Sequence, residues 1–107
     1  PTTEHLKNTH YKLYKAYRDK NPGTPIIFMT MPNVDRPEAT PNRRVIKATY
    51  TKAKREGDND VYFIDGRKLF GKEDREHCTT DLTHPNDLGF YRMAKVLNKV
   101  IAPLLKD

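Results

Sequence analysis

Asp81 and His84 stand three residues apart in HCTTDLTHPNDLGFYRMA, residues 77 to 94, with Pro85 directly behind the histidine. That pattern can seat a general base beside the carboxylate that orients it. The aspartate reaches one ring nitrogen, fixes the tautomer, and stabilises the imidazolium formed when the other nitrogen takes a proton. Pro85 disfavours the α region for His84, so the histidine is expected to be the last extended residue before a helix with Pro85 in its first turn. The positive end of that helix disfavours a nearby cation and keeps the ring neutral, able to accept. A base of this kind needs a nucleophile, and none of the 107 residues is a serine.

Neighbouring residues offer other chemistry, and each has a plainer role. Cys78 shares a loop with His84, whereas the members of a thiol–imidazole pair usually come from separate elements that hold them face to face, so an ordinary thiol is expected. His77, Cys78, Asp81 and His84 match no common zinc spacing, and a metal would compete for the lone pair the base needs, so no metal is expected. Asp87 reads as a first-turn acid complementing a helix dipole. Gly89 permits close backbone approach, His10 falls on an apolar helix face as a packing residue, and Asn33 reads as a turn residue.

The elements that must hold Asp81 and His84 follow from periodicity. Leu6, His10, Leu13, Tyr14 and Tyr17 recur at helical spacing, with Thr2 or Thr3 to cap and Asn21-Pro22-Gly23 to stop. PIIFMTM, residues 25 to 31, is apolar without alternation and predicts a strand buried on both faces. Thr40-Pro41 predicts the start of a second helix carrying Val45, Ile46, Thr49 and Ala53 and ending near Gly57. VYFI, residues 61 to 64, predicts a second such strand, followed by a long loop from Asp65 to Pro85. A last helix carries Phe90, Ala94, Leu97, Ile101 and Leu104 on one side, and Pro103 should kink or fray its end. The order α-β-α-β-α predicts two parallel strands joined by a right-handed crossover. Ligands of such sheets bind beyond the carboxyl ends of the strands, where the Asp81–His84 loop emerges.

Two strands apolar on both faces need helices above and below and further strands beside them. The chain therefore reads as part of a larger three-layer α/β domain, with room in 12.5 kDa for one domain at most. The net charge of +6 comes from lysines and arginines dispersed among acids on helix faces, a solvated surface, so no nucleic-acid binding is expected. No apolar run reaches the length of a membrane span. PTTEHLKNTHYK has no basic start leading into an apolar stretch, so no signal peptide is expected within it. That leaves a periplasmic or secreted setting open.

Asp65-Gly66, Leu69-Phe70-Gly71, and DLTHPNDLG (Asp81 to Gly89) followed by Met93-Ala94 resemble the SGNH or GDSL-type hydrolases. The long motif is similar to that family's last one, whose aspartate and histidine complete a catalytic triad before the C-terminal helix. The likeness extends more loosely back to about Pro25, and it is closest to bacterial members that remove acyl groups from carbohydrates. The resemblance implies a flavodoxin-like α/β fold, no metal or cofactor, and a small-molecule or carbohydrate acyl ester as substrate. It makes His84 the general base and Asp81 its partner, and residues 1–107 the C-terminal portion of one such domain. The family's Gly-Asp-Ser nucleophile motif and its oxyanion glycine and asparagine have no counterpart here, so the chain by itself is expected to be inactive. The alternative is a non-catalytic, truncated α/β domain that binds a partner, or a second copy of itself, through an exposed sheet edge.

Overall fold

The computed structural model describes residues 2–32, 36–79 and 85–105. Its main elements are α1 (Thr3–Lys20), β1 (Ile26–Met29), α2 (Ala39–Arg55), β2 (Val61–Ile64) and α3 (Asp87–Leu104), the order α-β-α-β-α that the periodicity predicts. Thr2 caps α1 by accepting from the His5 N–H at 3.1 Å, which satisfies one of the donors a helix start leaves open. Asn21 closes it, donating its N–H to Tyr17 and Arg18 carbonyls. Asn33 lies outside the described residues.

β1 and β2 run parallel in the register Ile26–Val61, Ile27–Tyr62, Phe28–Phe63 and Met29–Ile64, with α2 as the crossover. Side chains alternate across a strand, so Ile26, Phe28, Val61 and Phe63 share one face. Tyr14 from α1 and Ala53 from α2 both pack there against Phe28 and Val61, joined by Tyr11, Ile46 and Tyr50. Ring centroids of Tyr14 and Phe28 lie 5.5 Å apart, and those of Tyr50 and Phe63 lie 5.6 Å apart, tilted aromatic pairs within the core. His10 joins it as a packing residue. Its ring lies 5.8 Å from Phe28, and Nδ1 is 2.8 Å from the hydroxyl of buried Thr49.

Four expectations need correction. β1 is shorter than residues 25 to 31 and unevenly covered, because α1 and α2 both lie over Ile26 and Phe28, whereas on the other face Ile27 is half-buried and Met29 exposed. α2 begins at Ala39, after Glu38 and ahead of Thr40-Pro41. The Ala39 N–H already bonds the Arg36 carbonyl, and Pro41 falls in the first turn, where a missing N–H costs nothing. On α3, Phe90 is 59% exposed and Ala94 is exposed as well, while Leu97, Ile101 and Leu104 are half-buried as expected, together with Met93, Val96 and Val100. Gly89 sets that rotation, since its missing side chain lets the first turn close onto Cys78 and Phe70. Pro85 lies outside the helix, and Asn86 is the cap. Pro103 does sit in the final turn, which ends one residue later.

The result is a slab of 39 × 38 × 19 Å. The radius of gyration, 14.8 Å, exceeds the roughly 13 Å of a compact domain of this size.

Candidate active site

The carboxyl ends of the two strands are locked together by one glycine. Thr30, just past β1, donates its N–H to the Ile64 carbonyl at 3.2 Å, and its hydroxyl accepts from the Gly66 N–H at 2.6 Å. A side chain on Gly66 would meet the Met31 and Thr30 carbonyl oxygens at 2.0 and 2.4 Å, so only glycine fits. Asp65 ends β2 and opens a 3₁₀ turn over Gly66–Lys68, its carboxylate accepting from the Arg67 N–H at 2.9 Å and pairing with the Arg67 guanidinium. The Arg67 hydrogen bonds hold that carboxyl below the usual carboxylate range, against the opposing effect of burial.

The chain then runs through the fully buried Leu69 and Phe70, turns at Gly71 with a φ of +74°, and forms a second 3₁₀ turn over Arg75–Cys78. Cys78 is buried, its sulfur 4.0 Å from the carbonyl oxygens of both Phe70 and Asp74 and 3.5 Å from Arg92 Nη1. An interior thiol of that kind is a packing group, as its place in the loop suggests.

Asp81 and His84 lie outside the described residues, between Thr79 and Pro85. Thr79 pairs with Pro85 in an antiparallel bridge, so the chain leaves for residues 80–84 and returns through a closed neck. Asn86 fastens that neck three times. Its backbone N–H donates to the Cys78 carbonyl at 2.9 Å and its side-chain Nδ2 donates to the His77 carbonyl at 2.6 Å. Its Oδ1 accepts from the Gly89 N–H at 3.0 Å, the N-cap of α3. Gly89 is needed for this closure, since a side chain there would lie 2.3 Å from the Cys78 carbonyl oxygen. From the second turn of α3, Arg92 Nη1 donates to the Phe70 and Glu73 carbonyls at 2.5 and 2.7 Å, holding the loop from below.

Sequence reasoning found Gly89 and missed what Asn86 and Arg92 do. An asparagine three residues ahead of Gly89 is a legible cap signal. The clasp to His77 and the Arg92 bonds reach backbone carbonyls far away in sequence, which no spacing rule exposes. Among the described residues, no group of three or more His, Cys, Asp or Glu is placed to hold a metal, and no helix is long and apolar enough to cross a membrane.

The chain belongs to the GDSL-like lipase/acylhydrolase family, whose sequence profile matches residues 1–102. Among solved structures, it is similar to a Bacteroides ovatus protein described as a GDSL-like lipase, with a TM-score of 0.80 and 27% identity over 98% of this chain and 33% of that one. It also superposes on the salicylyl-acyltransferase SsfX3 from a tetracycline biosynthetic pathway, with a TM-score of 0.73 and 21% identity over 95% of this chain, a likeness of fold. This chain spans 33% of the length of each of those two structures. No curated protein sequence matched.

Proposed function

We propose that residues 1–107 are the C-terminal portion of a single SGNH hydrolase-like domain and supply the Asp-His pair of a serine ester hydrolase. The observation that carries this reading is the family match over residues 1–102, which includes the whole DLTHPNDLG motif.

In this mechanism a serine from the remainder of the domain attacks the ester carbonyl while His84 takes the hydroxyl proton. Asp81 holds the imidazole in the right tautomer and stabilises its charge. The tetrahedral adduct collapses to an acyl-serine, and His84 returns the proton to the departing alcohol. Water, deprotonated by His84, then releases the carboxylic acid and restores the serine. The substrate is an acyl ester of a small alcohol or a carbohydrate, and the chemistry requires no metal or cofactor. A second reading, a non-catalytic domain that binds another chain through the sheet, is supported by the outer edge of β1, which pairs with no strand among the described residues.

The chain alone should hydrolyse p-nitrophenyl acetate no faster than free imidazole. Joined to the serine-bearing remainder of a GDSL domain, it should gain saturable turnover. His84→Ala and Asp81→Asn should then each lower kcat by on the order of 1000-fold or more, the histidine change at least as severely. Variants that retain near wild-type turnover would sink the assignment.

A further inference from the structure

α1 and α2 lie side by side and run the same way, as two bonds with one sequence offset show. The Thr3 hydroxyl donates to Asn42 Oδ1 at 2.6 Å, and His10 Nδ1 lies 2.8 Å from the Thr49 hydroxyl. Between the helices, facing solvent, runs a groove of about 440 Å³, within the size range of small-molecule sites. Thr49 is buried at its base with its hydroxyl taken by His10, and Val45, Ala48, Pro41 and the Tyr11 ring give the rest an apolar lining. The Lys52 ammonium stands 3.8 Å over the Tyr11 ring centroid, so its methylene stem adds to that wall. The charge around the groove has one sign. Lys7 from α1 and Arg44 and Lys52 from α2 line it, and no Asp or Glu does. From Ala39 to Arg55, α2 carries six lysines and arginines and no acid, and Glu56, just beyond, is engaged by the Tyr11 hydroxyl. Among the described residues, neither Lys7 nor Arg44 forms an ion pair with a carboxylate.

We infer that the groove between α1 and α2 binds an anion with an apolar body, of which a carboxylate on a hydrocarbon chain is the simplest case. The apolar lining takes the chain out of water, while Lys7 and Arg44, one from each helix, hold the carboxylate. Arginine offers that group two parallel N–H donors, and lysine adds a compact charge. Neither half suffices alone. An exposed ion pair contributes little in water, and a short chain in an open groove keeps part of its hydration, so the ligand must carry both. An alcohol of the same length leaves the cations unmatched, a quaternary ammonium is repelled by them, and acetate has no chain to bury. Two other grooves lack the combination. The one beside β1 has no lysine or arginine in its lining, and the one beside α3 sets Asp65 among its lysines. The binding site stands apart from the catalytic reading, since every residue in it belongs to α1 or α2.

The test titrates octanoate, octanol, acetate and octyltrimethylammonium into the chain by calorimetry, each below the concentration at which it forms micelles, and locates the site from the methyl NMR shifts of Val45 and Ala48. Octanoate should saturate one site per chain with a Kd on the order of 1 mM or below. Octanol should bind at least about 10-fold more weakly, and acetate and the ammonium should not saturate. Higher ionic strength should weaken octanoate and spare octanol. Lys7, Arg44 and Ala48 are all exposed, so substitutions there leave the core untouched, and far-UV circular dichroism checks that the helices persist. Lys7→Gln combined with Arg44→Gln should weaken octanoate by about 10-fold without affecting octanol, and Ala48→Trp, which fills the groove, should weaken both. Lys20→Gln, a cation at the far end of α1, should change nothing. Equal affinity for octanoate and octanol, or for octanoate and acetate, would overturn the inference, as would an equal loss in Lys20→Gln or unchanged binding in Ala48→Trp. Shifts centred on Leu13 and Ile26 in place of Val45 and Ala48 would put the ligand in the groove beside β1 and overturn it as well.

Discussion

A methyl group on Gly66 would lie 2.0 Å from the Met31 carbonyl oxygen and 2.4 Å from that of Thr30. Both are backbone atoms fixed by the sheet, so neither can withdraw as a flexible side chain could. Gly66→Ala should therefore destabilise the chain by about 3 kcal/mol, the upper end of the cost of overpacking, and should part the carboxyl ends of the strands. Gly23 is the control, since nothing lies within 4 Å of the position a side chain would take. Gly23→Ala should stay within about 0.5 kcal/mol. Urea denaturation of the two variants checks the contrast, and equal midpoints would show that the strand ends are less tightly joined than the Thr30–Gly66 contact implies.

Elements are held to one another most firmly at the opposite end of the sheet. Arg18, near the end of α1, donates to the Asp58 carboxylate at 2.8 Å and to the Asn21, Thr24 and Asp60 carbonyls at 2.8, 2.6 and 3.3 Å. The Tyr14 hydroxyl donates to the same carboxylate. One buried guanidinium thus joins α1, the entry to β1 and the turn before β2. Asp58→Ala leaves that cation without its partner and should cost roughly 3 kcal/mol. Burial pushes the Tyr14 hydroxyl up, and its bond to Asp58 pushes further, to about 12. The folded state thus keeps the proton longer, so this contribution is whole below pH 10 and is lost as pH rises toward 12. Burial alone would raise Asp58, but the Tyr14, Asp60 and Arg18 donors outweigh it and hold the carboxyl below its ordinary 3.8. That contribution is present above pH 3.8 and is lost as pH falls through the depressed value. Denaturation midpoints across pH should fall on both sides, and Tyr14→Phe should remove the alkaline fall.

At the scale of the whole molecule, the two sheet edges differ. Lys47, Lys68 and Lys99 surround the groove beside Ile64 and α3, and charge of that kind blocks pairing. Beside β1 the groove is lined by His10, Leu13, Tyr14, Tyr17, Ile26 and Phe28, with Leu13 70% and Tyr17 48% exposed. Apolar area next to an unpaired strand favours association. The chain should therefore show concentration-dependent association in sedimentation velocity, reduced by Leu13→Lys with Tyr17→Lys and unaffected by Lys99→Ala. A monomer at every concentration with a cooperative unfolding transition would instead mark a self-sufficient small domain.

The periodicity of Leu6 to Tyr17, the unbroken apolar runs at 25 to 31 and 61 to 64, and the last amphipathic stretch determined the element order and the parallel pairing, because those signals are local. DLTHPNDLG likewise determined the family, since its residues are contiguous. Tertiary structure decided which faces are covered. Both α1 and α2 lie over Phe28 and Val61, and the Gly89 contact with the Cys78 carbonyl turns Phe90 and Ala94 outward, although helical periodicity alone groups them with the core. It also decided what closes the neck. The Asn86 bonds to His77 and Cys78 and the Arg92 bonds to Phe70 and Glu73 end on backbone carbonyls, which every residue possesses, so no residue type in the sequence marks them as partners.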